Sequence, residues 1–360
     1  MDVISGSAAS QTSQVNDAGR EGTLVRNDKI PDSEIVEMNG DMNSEIREMN
    51  RDRNSEERHQ GRDDSLNPVG IFDSGVGGIS TLGAMVKLMP EEDFLYYGDE
   101  KNAPYGTKTT EEVISCVRKV VNELQKDHIK ALVIACNTAT GAAAAVLRKE
   151  LTIPIIGIEP ALKPASEAGK GGKIMVMATP LTLRQEKFLA LMDKYGTNAE
   201  PVACDGLMEL VEHEDFPGAE RYLENMIAGW ELDCIDAVVL GCTHYVFLRP
   251  MIRKMLPERI LITDGNGGTA RQLRRVLEQR GLARRSGEET RGNEKDPGKI
   301  REEPRGNTEE SGGSGEGPRG NGEEPGAKRA GRIVFKTSGS SERTLPVMQR
   351  LLKLALELEE

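Results

Sequence analysis

The sequence predicts an α/β protein whose mainly parallel sheets are flanked by helices. Short β-branched runs alternate with amphipathic stretches from residue 68 to about residue 284, and again after about residue 329. The predicted strands are continuously apolar, which is typical of parallel strands that are buried on both faces. Together the two regions hold about 250 residues, which is enough for one or two hydrophobic cores.

Each strand is predicted where a short apolar run lies between turn residues and amphipathic stretches. In chain order these strands cover residues 69–72, 93–97, 131–135, 153–158, 173–177, 199–203, 236–240, 259–262 and 332–336. Each helix is predicted where apolar residues recur at helical spacing. The helices cover residues 78–89, 110–127, an Ala-rich stretch ending at 150, 160–168, 180–194, two stretches within 206–229, one after Pro250, 269–280 and 342–358.

The charge balance excludes some classes of partner. The chain has 360 residues, with 47 Lys and Arg against 59 Asp and Glu, for a net charge of −12. This argues against a general nucleic-acid binder and against binding to anionic membranes. The first residues lack a signal-peptide pattern, no apolar run is long enough to cross a bilayer, and the 5 Cys are an odd number. We therefore expect a cytoplasmic protein with reduced thiols.

Two segments have the composition of chain that cannot bury a core. Residues 1–67 carry 15 acidic and 8 basic side chains and no aromatic residue, and an 11-residue unit starts at residues 33, 44 and 55. Residues 285–328 contain most of three 14-residue units, each with an Arg-Gly-Asn triplet, at 291, 305 and 319. We predict a disordered head and a solvated insert. Nucleic-acid binding by the triplets is the alternative, but the surrounding Glu residues disfavour it.

Two cysteines follow predicted strands in similar surroundings. Cys136 comes directly after an apolar strand and before a predicted helix, and Cys242 repeats this pattern 106 residues later. A thiol at a helix N-terminus is expected to have a lowered pKa, because the helix dipole favours the thiolate. Asn137, Thr138 and Thr243 add hydrogen-bond donors suited to a carboxylate. The other three thiols, Cys116, Cys204 and Cys234, are interpreted as structural.

A pair of acid/base thiols suits one type of reaction. One thiol can remove a proton from one face of a chiral carbon while the other returns a proton to the opposite face, which inverts the centre without a cofactor. A metal site formed by Cys136, Cys242 and His244 is the alternative. It is disfavoured because the sequence has no CxxC pair and no second His near His244.

Three carboxylates also stand at predicted strand ends. Asp73 precedes a Gly-rich turn that lacks the Walker lysine and does not fit GxGxxG, Asp99 precedes the loop 103–106, and Glu159 follows the fourth strand. A carboxylate next to a thiol can orient the base or hold a proton. For each of the three taken alone, a helix cap or a loop role is an equally good interpretation.

These motifs resemble those of glutamate racemases, within the cofactor-independent aspartate/glutamate racemase group. The resemblance spans the core of about 250 residues, a usual size for one or two domains. It rests on FDSGVGG at 72–78, APYG at 103–106, ACNTAT at 135–140, IEP at 158–160, LGCTHY at 240–245 and TDG at 263–265. It implies interconversion of L- and D-glutamate without a cofactor, which supplies D-glutamate for peptidoglycan. It also implies two similar domains around a cleft, the first formed by residues 68–160, 264–284 and 329–360 and the second by 161–263.

The resemblance also implies roles for individual residues. Cys136 would act on D-glutamate with help from Asp73, and Cys242 on L-glutamate with help from His244 and Glu159. The residues that would bind glutamate are Asp73, Ser74, Tyr105, Gly106, Asn137, Thr138, Thr243 and His244. Glutamate is the implied small-molecule partner, and association into a homodimer is a possibility that the sequence leaves undecided.

Three other functions stay open on the sequence alone. Aspartate racemase is the nearest, because one methylene changes binding by only about 1–3 kcal/mol. A non-catalytic amino-acid-binding protein could retain the fold, and a metal-dependent hydrolase could use the same side chains.

Overall fold

A computed structural model describes residues 63–284 and 330–358. The predicted insert and nearly all of the predicted head lie outside these residues. Within the head, Asp64–Leu66 forms a short 3-10 turn, and the Lys130 Nζ donates a hydrogen bond of 2.7 Å to the Ser65 carbonyl. The described residues therefore begin a few positions before the predicted boundary at 68.

Nine strands are found in the described residues. They are β1 (Val69–Asp73), β2 (Phe94–Gly98), β3 (Ala131–Ile134), β4 (Ile155–Gly157), β5 (Lys173–Ala178), β6 (Ala199–Ala203), β7 (Ile235–Leu240), β8 (Leu261–Asp264) and β9 (Ile333–Thr337). They form a five-stranded sheet with the order β4-β3-β1-β2-β9 and a four-stranded sheet with the order β6-β5-β7-β8. Every strand pairing is parallel. The predicted α/β class with parallel sheets is confirmed.

Eleven α-helices connect and flank the strands in the described residues. They are α1 (Ile79–Leu88), α2 (Thr110–Gln125), α3 (Asn137–Glu150), α4 (Leu162–Ala168), α5 (Pro180–Arg184), α6 (Glu186–Tyr195), α7 (Leu207–Glu212), α8 (Phe216–Ile227), α9 (Arg249–Met255), α10 (Asn266–Gln279) and α11 (Ser341–Glu357). None of them combines the length and apolarity needed to cross a bilayer.

Local chemistry explains where several elements begin and end. The Thr109 hydroxyl and the Glu112 carboxylate form a capping box that starts α2. Pro154 cannot donate to a sheet ladder, so β4 begins after it and is shorter than predicted. The predicted helix 180–194 is two helices, because the chain leaves the helical conformation at Gln185 (φ −73°, ψ 139°).

The apolar core explains the continuous hydrophobicity of the strands. All residues of β1 and β3 are buried. The largest cluster of buried side chains includes Ile71 of the first sheet and Val238 of the second, together with Leu82 of α1 and Leu273 of α10. The two sheets are therefore linked by continuous packing, and the residues that follow β1, β3 and β7 are presented from a rigid base.

An ionic cluster around the buried carboxylates of Glu92 and Asp93 lies at the end of the first sheet where β2 begins. The Arg284 guanidinium donates to Asp93 Oδ2 at 2.9 Å, and the Arg332 backbone N–H donates to Asp93 Oδ1 at 2.6 Å. Next to them, Lys130 pairs with Glu92 at 2.5 Å, with both side chains buried. We call Glu92, Asp93, Lys130, Arg284 and Arg332 the insert clamp. It holds residues 284 and 332 against one carboxylate.

Candidate active site

The first thiol lies where the sequence places it. Cys136 follows β3 and is the N-cap of α3, and its Sγ accepts a hydrogen bond of 3.4 Å from the Ala139 N–H. Ser74, in the turn after β1, places its Oγ 3.5 Å from the same sulfur. Cys136 is only 7% exposed. The thiol is therefore buried at the carboxyl edge of the first sheet and held by two hydrogen bonds.

The expected lowering of the Cys136 pKa is wrong for this structure. Burial, and then the negative charge of Asp73, raises the pKa of Cys136 to about 12, despite the hydrogen bonds from Ser74 and Ala139. Desolvation disfavours the thiolate more strongly than the first turn of α3 favours it. Cys242 is also among the charges that raise this pKa, so the two cysteines interact electrostatically. Cys136 is a neutral thiol at neutral pH.

Asp73 is the carboxylate that was expected to assist the first thiol, Cys136. It ends β1, is fully buried, and accepts a hydrogen bond of 2.8 Å from the Gly78 N–H at Oδ2. Among the described residues, its Oδ1 has no hydrogen-bond partner, and neither has the buried Oδ1 of Asn137. Burial raises the pKa of Asp73, although His244 and the Gly78 N–H oppose the shift. The site thus holds two buried acceptor atoms that could take hydrogen bonds from an ammonium group.

The second thiol also follows a central strand, but a different helix type follows it. Cys242 lies two residues after β7 and caps the six-residue 3-10 helix Thr243–Leu248, and α9 begins only at Arg249. The prediction that both thiols open the same kind of helix is therefore wrong. Pro250 explains the delay, because proline is favoured in the first turn of a helix, where its missing N–H is not needed.

A chain of hydrogen bonds connects Cys242 to a carboxylate that the sequence analysis missed. The Cys242 Sγ lies 3.6 Å from the His244 Nδ1, and the His244 Nε2 lies 2.6 Å from the Glu212 Oε1. Glu212 ends α7 and also accepts a hydrogen bond of 3.1 Å from the Val76 N–H. Glu212 lies in an amphipathic helix with other acidic residues nearby, which is typical of a face exposed to solvent. No local feature of the sequence therefore marked it as functional.

In this chain of hydrogen bonds, His244 and Glu212 each stabilise the charged form of the other. Burial alone would lower the pKa of His244, but the Glu212 carboxylate and Cys242 raise it well above its ordinary value. Burial alone would raise the pKa of Glu212, but His244 and the Val76 N–H lower it. We therefore describe the pair as an imidazolium and a carboxylate. The imidazolium Nδ1–H is directed at the Cys242 sulfur.

Glu159 forms an ion pair at the surface of the protein. Its carboxylate pairs with Lys187 at 2.9 Å, and about half of its side chain is exposed. A surface pair of this kind keeps the carboxylate turned towards solvent. The carboxylate that reaches the Cys242 and His244 pair is Glu212. The assistance that was expected of Glu159 at Cys242 stays a prediction, and Glu212 is the carboxylate with a contact that supports such a role.

The remaining predicted residues lie around the thiols. Tyr105 is buried and donates its hydroxyl to Asp99 at 2.6 Å, so this hydroxyl already has an acceptor. Thr243 is buried next to the His244 ring, and its carbonyl accepts a hydrogen bond of 3.1 Å from the Ser80 hydroxyl. Ser80 belongs to α1, so the turn after β1 and the helix that follows it contact the surroundings of both thiols.

Three threonine hydroxyls meet between the two sheets. Thr138 of α3 lies 3.2 Å from Thr179 and 2.9 Å from Thr182, measured between the Oγ1 atoms, and the latter two are 2.9 Å apart. Thr179 follows β5 and caps α5. Gly106 lies beside them, since a Cβ there would be 3.4 Å from the Thr179 Cβ. The sequence feature that could have marked Thr179 is its place at the end of a strand, directly before Pro180.

One glycine is required where the two halves of the site meet. A Cβ on Gly77 would overlap the His244 ring and come within 2.6 Å of the Thr243 Oγ1. We expect Gly77→Ala to lower the free energy of unfolding by about 1–3 kcal/mol, because the ring is held by Glu212 and cannot retreat. Denaturant unfolding measures the effect. Gly268→Ala is the control, since its Cβ would meet open space in α10, and it should stabilise the protein by about 0.5–1 kcal/mol.

Metal ligands do not cluster in the described part of the chain. Across residues 63–284 and 330–358, no group of three or more His, Cys, Asp or Glu side chains is arranged to hold a metal ion. All five cysteines are free thiols.

Comparison with known proteins assigns the family. A family profile described as Asp/Glu/Hydantoin racemase matches residues 80–273. A glutamate racemase from Clostridium botulinum (strain Langeland) is 49% identical over 221 residues, which cover 60% of this chain and 86% of that protein. The crystal structure of a glutamate racemase isoform from Bacillus anthracis superposes with a TM-score of 0.61 at 28% identity, covering 80% of this chain and 94% of the other. An Escherichia coli glutamate racemase, solved with L-glutamate and an activator, gives a TM-score of 0.55 at 29% identity, covering 59% and 83%. This chain therefore belongs to the Asp/Glu/Hydantoin racemase family.

Proposed function

We propose that the chain is a glutamate racemase that interconverts L- and D-glutamate with Cys136 and Cys242 as its two acid/base groups. The observation that carries the proposal is the turn after β1, which contacts the Cys136 thiol and also the Glu212 that holds His244 beside Cys242. Its Ser74 hydroxyl lies 3.5 Å from the Cys136 sulfur, and its Val76 N–H donates to the Glu212 that holds His244 against Cys242. One small molecule next to this turn would have a thiol on each side.

The substrate choice follows from two kinds of support. The family members described above are named glutamate racemases, and one of them was solved with L-glutamate. In this chain, the free Oδ1 atoms of Asp73 and Asn137 suit the ammonium group of an amino acid. The hydroxyls of Thr138, Thr179 and Thr182 suit a carboxylate, because each hydroxyl can turn its hydrogen towards an anion.

The neutral state of the Cys136 thiol sets the order of events for L-glutamate, because this thiol has a proton to give. Cys242, whose sulfur lies 3.6 Å from the His244 Nδ1, acts as the base and takes the α-proton, which leaves the electron pair on the α-carbon, delocalised into the carboxylate. Cys136, a neutral thiol in the free protein, then gives its proton to the opposite face and becomes the thiolate. D-glutamate leaves, and Cys136 and Cys242 have exchanged protonation states. The reverse reaction starts from that second state.

Glu212 has the supporting role that was expected of Glu159. It holds His244 by a charge-assisted hydrogen bond, and so keeps the imidazolium charged and oriented towards the sulfur. Asp73 has the corresponding place near Cys136, whose pKa its charge raises. We infer that the product D-glutamate serves peptidoglycan synthesis and that the reaction needs neither a cofactor nor a metal.

Proton exchange in heavy water tests the proposal. Purified protein is incubated with each enantiomer of glutamate, without added cofactor and with EDTA present, and the α-proton is followed by NMR while optical rotation reports inversion. We expect each enantiomer to yield its mirror image with solvent deuterium at the α-carbon. A requirement for pyridoxal phosphate or a metal ion would contradict the mechanism.

The same assay with aspartate tests the substrate. Turnover of aspartate that is faster than that of glutamate would reject glutamate as the substrate, since the two differ by one methylene. Binding of glutamate without exchange of its α-proton would instead favour a non-catalytic amino-acid-binding protein.

A further inference from the structure

Asp99 is a buried carboxylate near the site that the proposed reaction does not use. It directly follows β2, and only 1% of it is exposed. Its backbone N–H donates a hydrogen bond of 3.0 Å to the Asp73 carbonyl, so it stands beside the Asp73 backbone at the carboxyl edge of the first sheet. A buried carboxylate at this edge is either an acid/base group or a support for residues that bind the substrate.

The hydrogen bonds of Asp99 distinguish these two roles. Its Oδ2 accepts from the Tyr105 hydroxyl at 2.6 Å, and its Oδ1 accepts from the Ser338 hydroxyl at 2.6 Å. The Asn102 side-chain amide bonds both oxygens, at 2.9 and 3.0 Å. Because every one of these contacts is a donor from the protein, both oxygens are already engaged. With both oxygens held by protein donors, Asp99 fits a fixed support and not a group that exchanges protons with a substrate.

The group that Asp99 fixes is the loop 103–106. Burial, and then the hydrogen bond to Asp99, raises the pKa of Tyr105, so its phenol stays protonated and remains a donor. The Tyr105 ring packs on Phe72, with ring centroids 6.1 Å apart. Gly106 follows at once and lies beside Thr179 of the hydroxyl cluster. The position of Gly106 therefore depends on where Asp99 holds Tyr105.

The segment after β9 completes this support from far along the chain. Besides its bond to Asp99, the Ser338 hydroxyl accepts a hydrogen bond of 3.0 Å from the Lys101 N–H, and the Ser338 N–H donates to the Gly98 carbonyl at 3.1 Å. Thr344, in the first turns of α11, donates its hydroxyl to Glu100. Residues that follow the predicted insert are thus bonded to the loop that leads into the candidate site.

We propose that Asp99 is a positioning residue that, together with Ser338, fixes the loop 103–106 for substrate binding. The proposal rests on the proposed racemase function, and it adds that the chain beyond the insert determines how well glutamate is held. Tyr105 contributes to binding through its place in this loop, because its hydroxyl is engaged by Asp99. The loop then presents the backbone of Tyr105 and Gly106 to the substrate.

Steady-state kinetics of the full chain with Ser338→Ala tests the proposal. We expect KM for both glutamate enantiomers to rise about 3- to 10-fold with kcat within about 2-fold, because the hydrogen bonds that join the Ser338 hydroxyl to Asp99 and Lys101 are lost and the thiols are untouched. Ser338→Thr keeps the hydroxyl and should restore most of the affinity. Ser340→Ala is the matched control, since Ser340 is exposed and its side chain makes no capping bond, and its KM should equal that of the wild type.

Asp99→Asn extends the test to the carboxylate. We expect a larger rise in KM than for Ser338→Ala, an unchanged pH dependence of kcat, and a double variant whose effect is smaller than the product of the two, because both changes act on one support. An unchanged KM with a lower melting temperature in Ser338→Ala would show a merely structural role and overturn the proposal. Loss of a limb of the pH profile in Asp99→Asn would also overturn it, since that limb would report proton exchange.

The outcomes separate this proposal from the proposed function. A wild-type chain that binds glutamate without racemising it would reject the racemase, and the same variants would then be compared by Kd from calorimetry. A wild-type chain that neither binds nor racemises glutamate would overturn both.

Discussion

Cys136→Ala is expected to lower racemisation of glutamate about 10²- to 10⁴-fold in both directions, the usual contribution of one general acid or base. Proton exchange should respond differently for the two enantiomers. L-glutamate should still exchange its α-proton with heavy water, because Cys242 can remove a proton and return a deuteron to the same face. D-glutamate should not exchange, since the group facing its α-proton is gone. NMR of the α-proton measures both rates.

The mirror-image variant and a remote thiol provide the controls. Cys242→Ala should exchange D-glutamate and not L-glutamate. Cys234→Ala should behave as the wild type, because Cys234 is exposed and lies before β7, at the opposite end of the strand that Cys242 follows. Equal exchange of both enantiomers by Cys136→Ala would contradict the assignment of one thiol to each face.

Glu212→Gln is expected to lower kcat with L-glutamate about 10- to 100-fold, which corresponds to losing one charge-assisted hydrogen bond of about 1.5–3 kcal/mol. The amide oxygen of glutamine can still accept from the Val76 N–H, so the fold around α7 should survive. What is lost is the negative charge beside His244. Steady-state kinetics from each enantiomer measures the loss.

The pH profile should shift in a defined direction. Glu212 raises the pKa of His244, so its removal lowers that pKa. His244 then loses its proton at a lower pH, and the alkaline limb of kcat/KM for L-glutamate should move to lower pH. Glu209→Gln, one turn earlier in α7, removes a charge with no hydrogen bond to His244 and is the control. An alkaline limb that stays in place in Glu212→Gln would mean that His244 is not the group that titrates.

The fold could be predicted because its signals are local. The apolar runs of β1, β3 and β7 are short, continuous and bounded by polar turns, and all three are central strands of their sheets. Element ends were less predictable where the chain leaves a helix without a strong breaker, as at Gln185. The 3-10 helix after Cys242 was missed because buried aromatic and β-branched residues have no clear helical period there.

The site could be predicted only where its residues follow strands. Cys136, Asp73 and Cys242 do so, and topology brings them to the same region. Glu212 does not, since its partner Val76 is 136 residues away and only tertiary packing joins them. Glu159 has the correct place in the chain, but its side chain turns to Lys187.

The electrostatics of the thiols show a second limit of sequence reasoning. A position at a helix N-terminus is readable from the sequence, and it predicts a lowered pKa for Cys136. The degree of desolvation is not readable, because it depends on side chains from β1 and α3 that close over the sulfur. At Cys136 burial is the larger effect, and the pKa moves in the opposite direction.

The insert clamp affects how the insert between Arg284 and Arg332 can change in length. Arg284 and Arg332 meet on Asp93, so the two described residues that flank the insert lie together, at the end of the first sheet remote from the thiols. When the two ends of a chain segment are fixed close together, doubling its length costs only about 0.6 kcal/mol in closure entropy. Whole 14-residue units could thus be gained or lost by recombination between copies without moving β9 or Ser338. Natural variants with different copy numbers should retain the same catalytic constants.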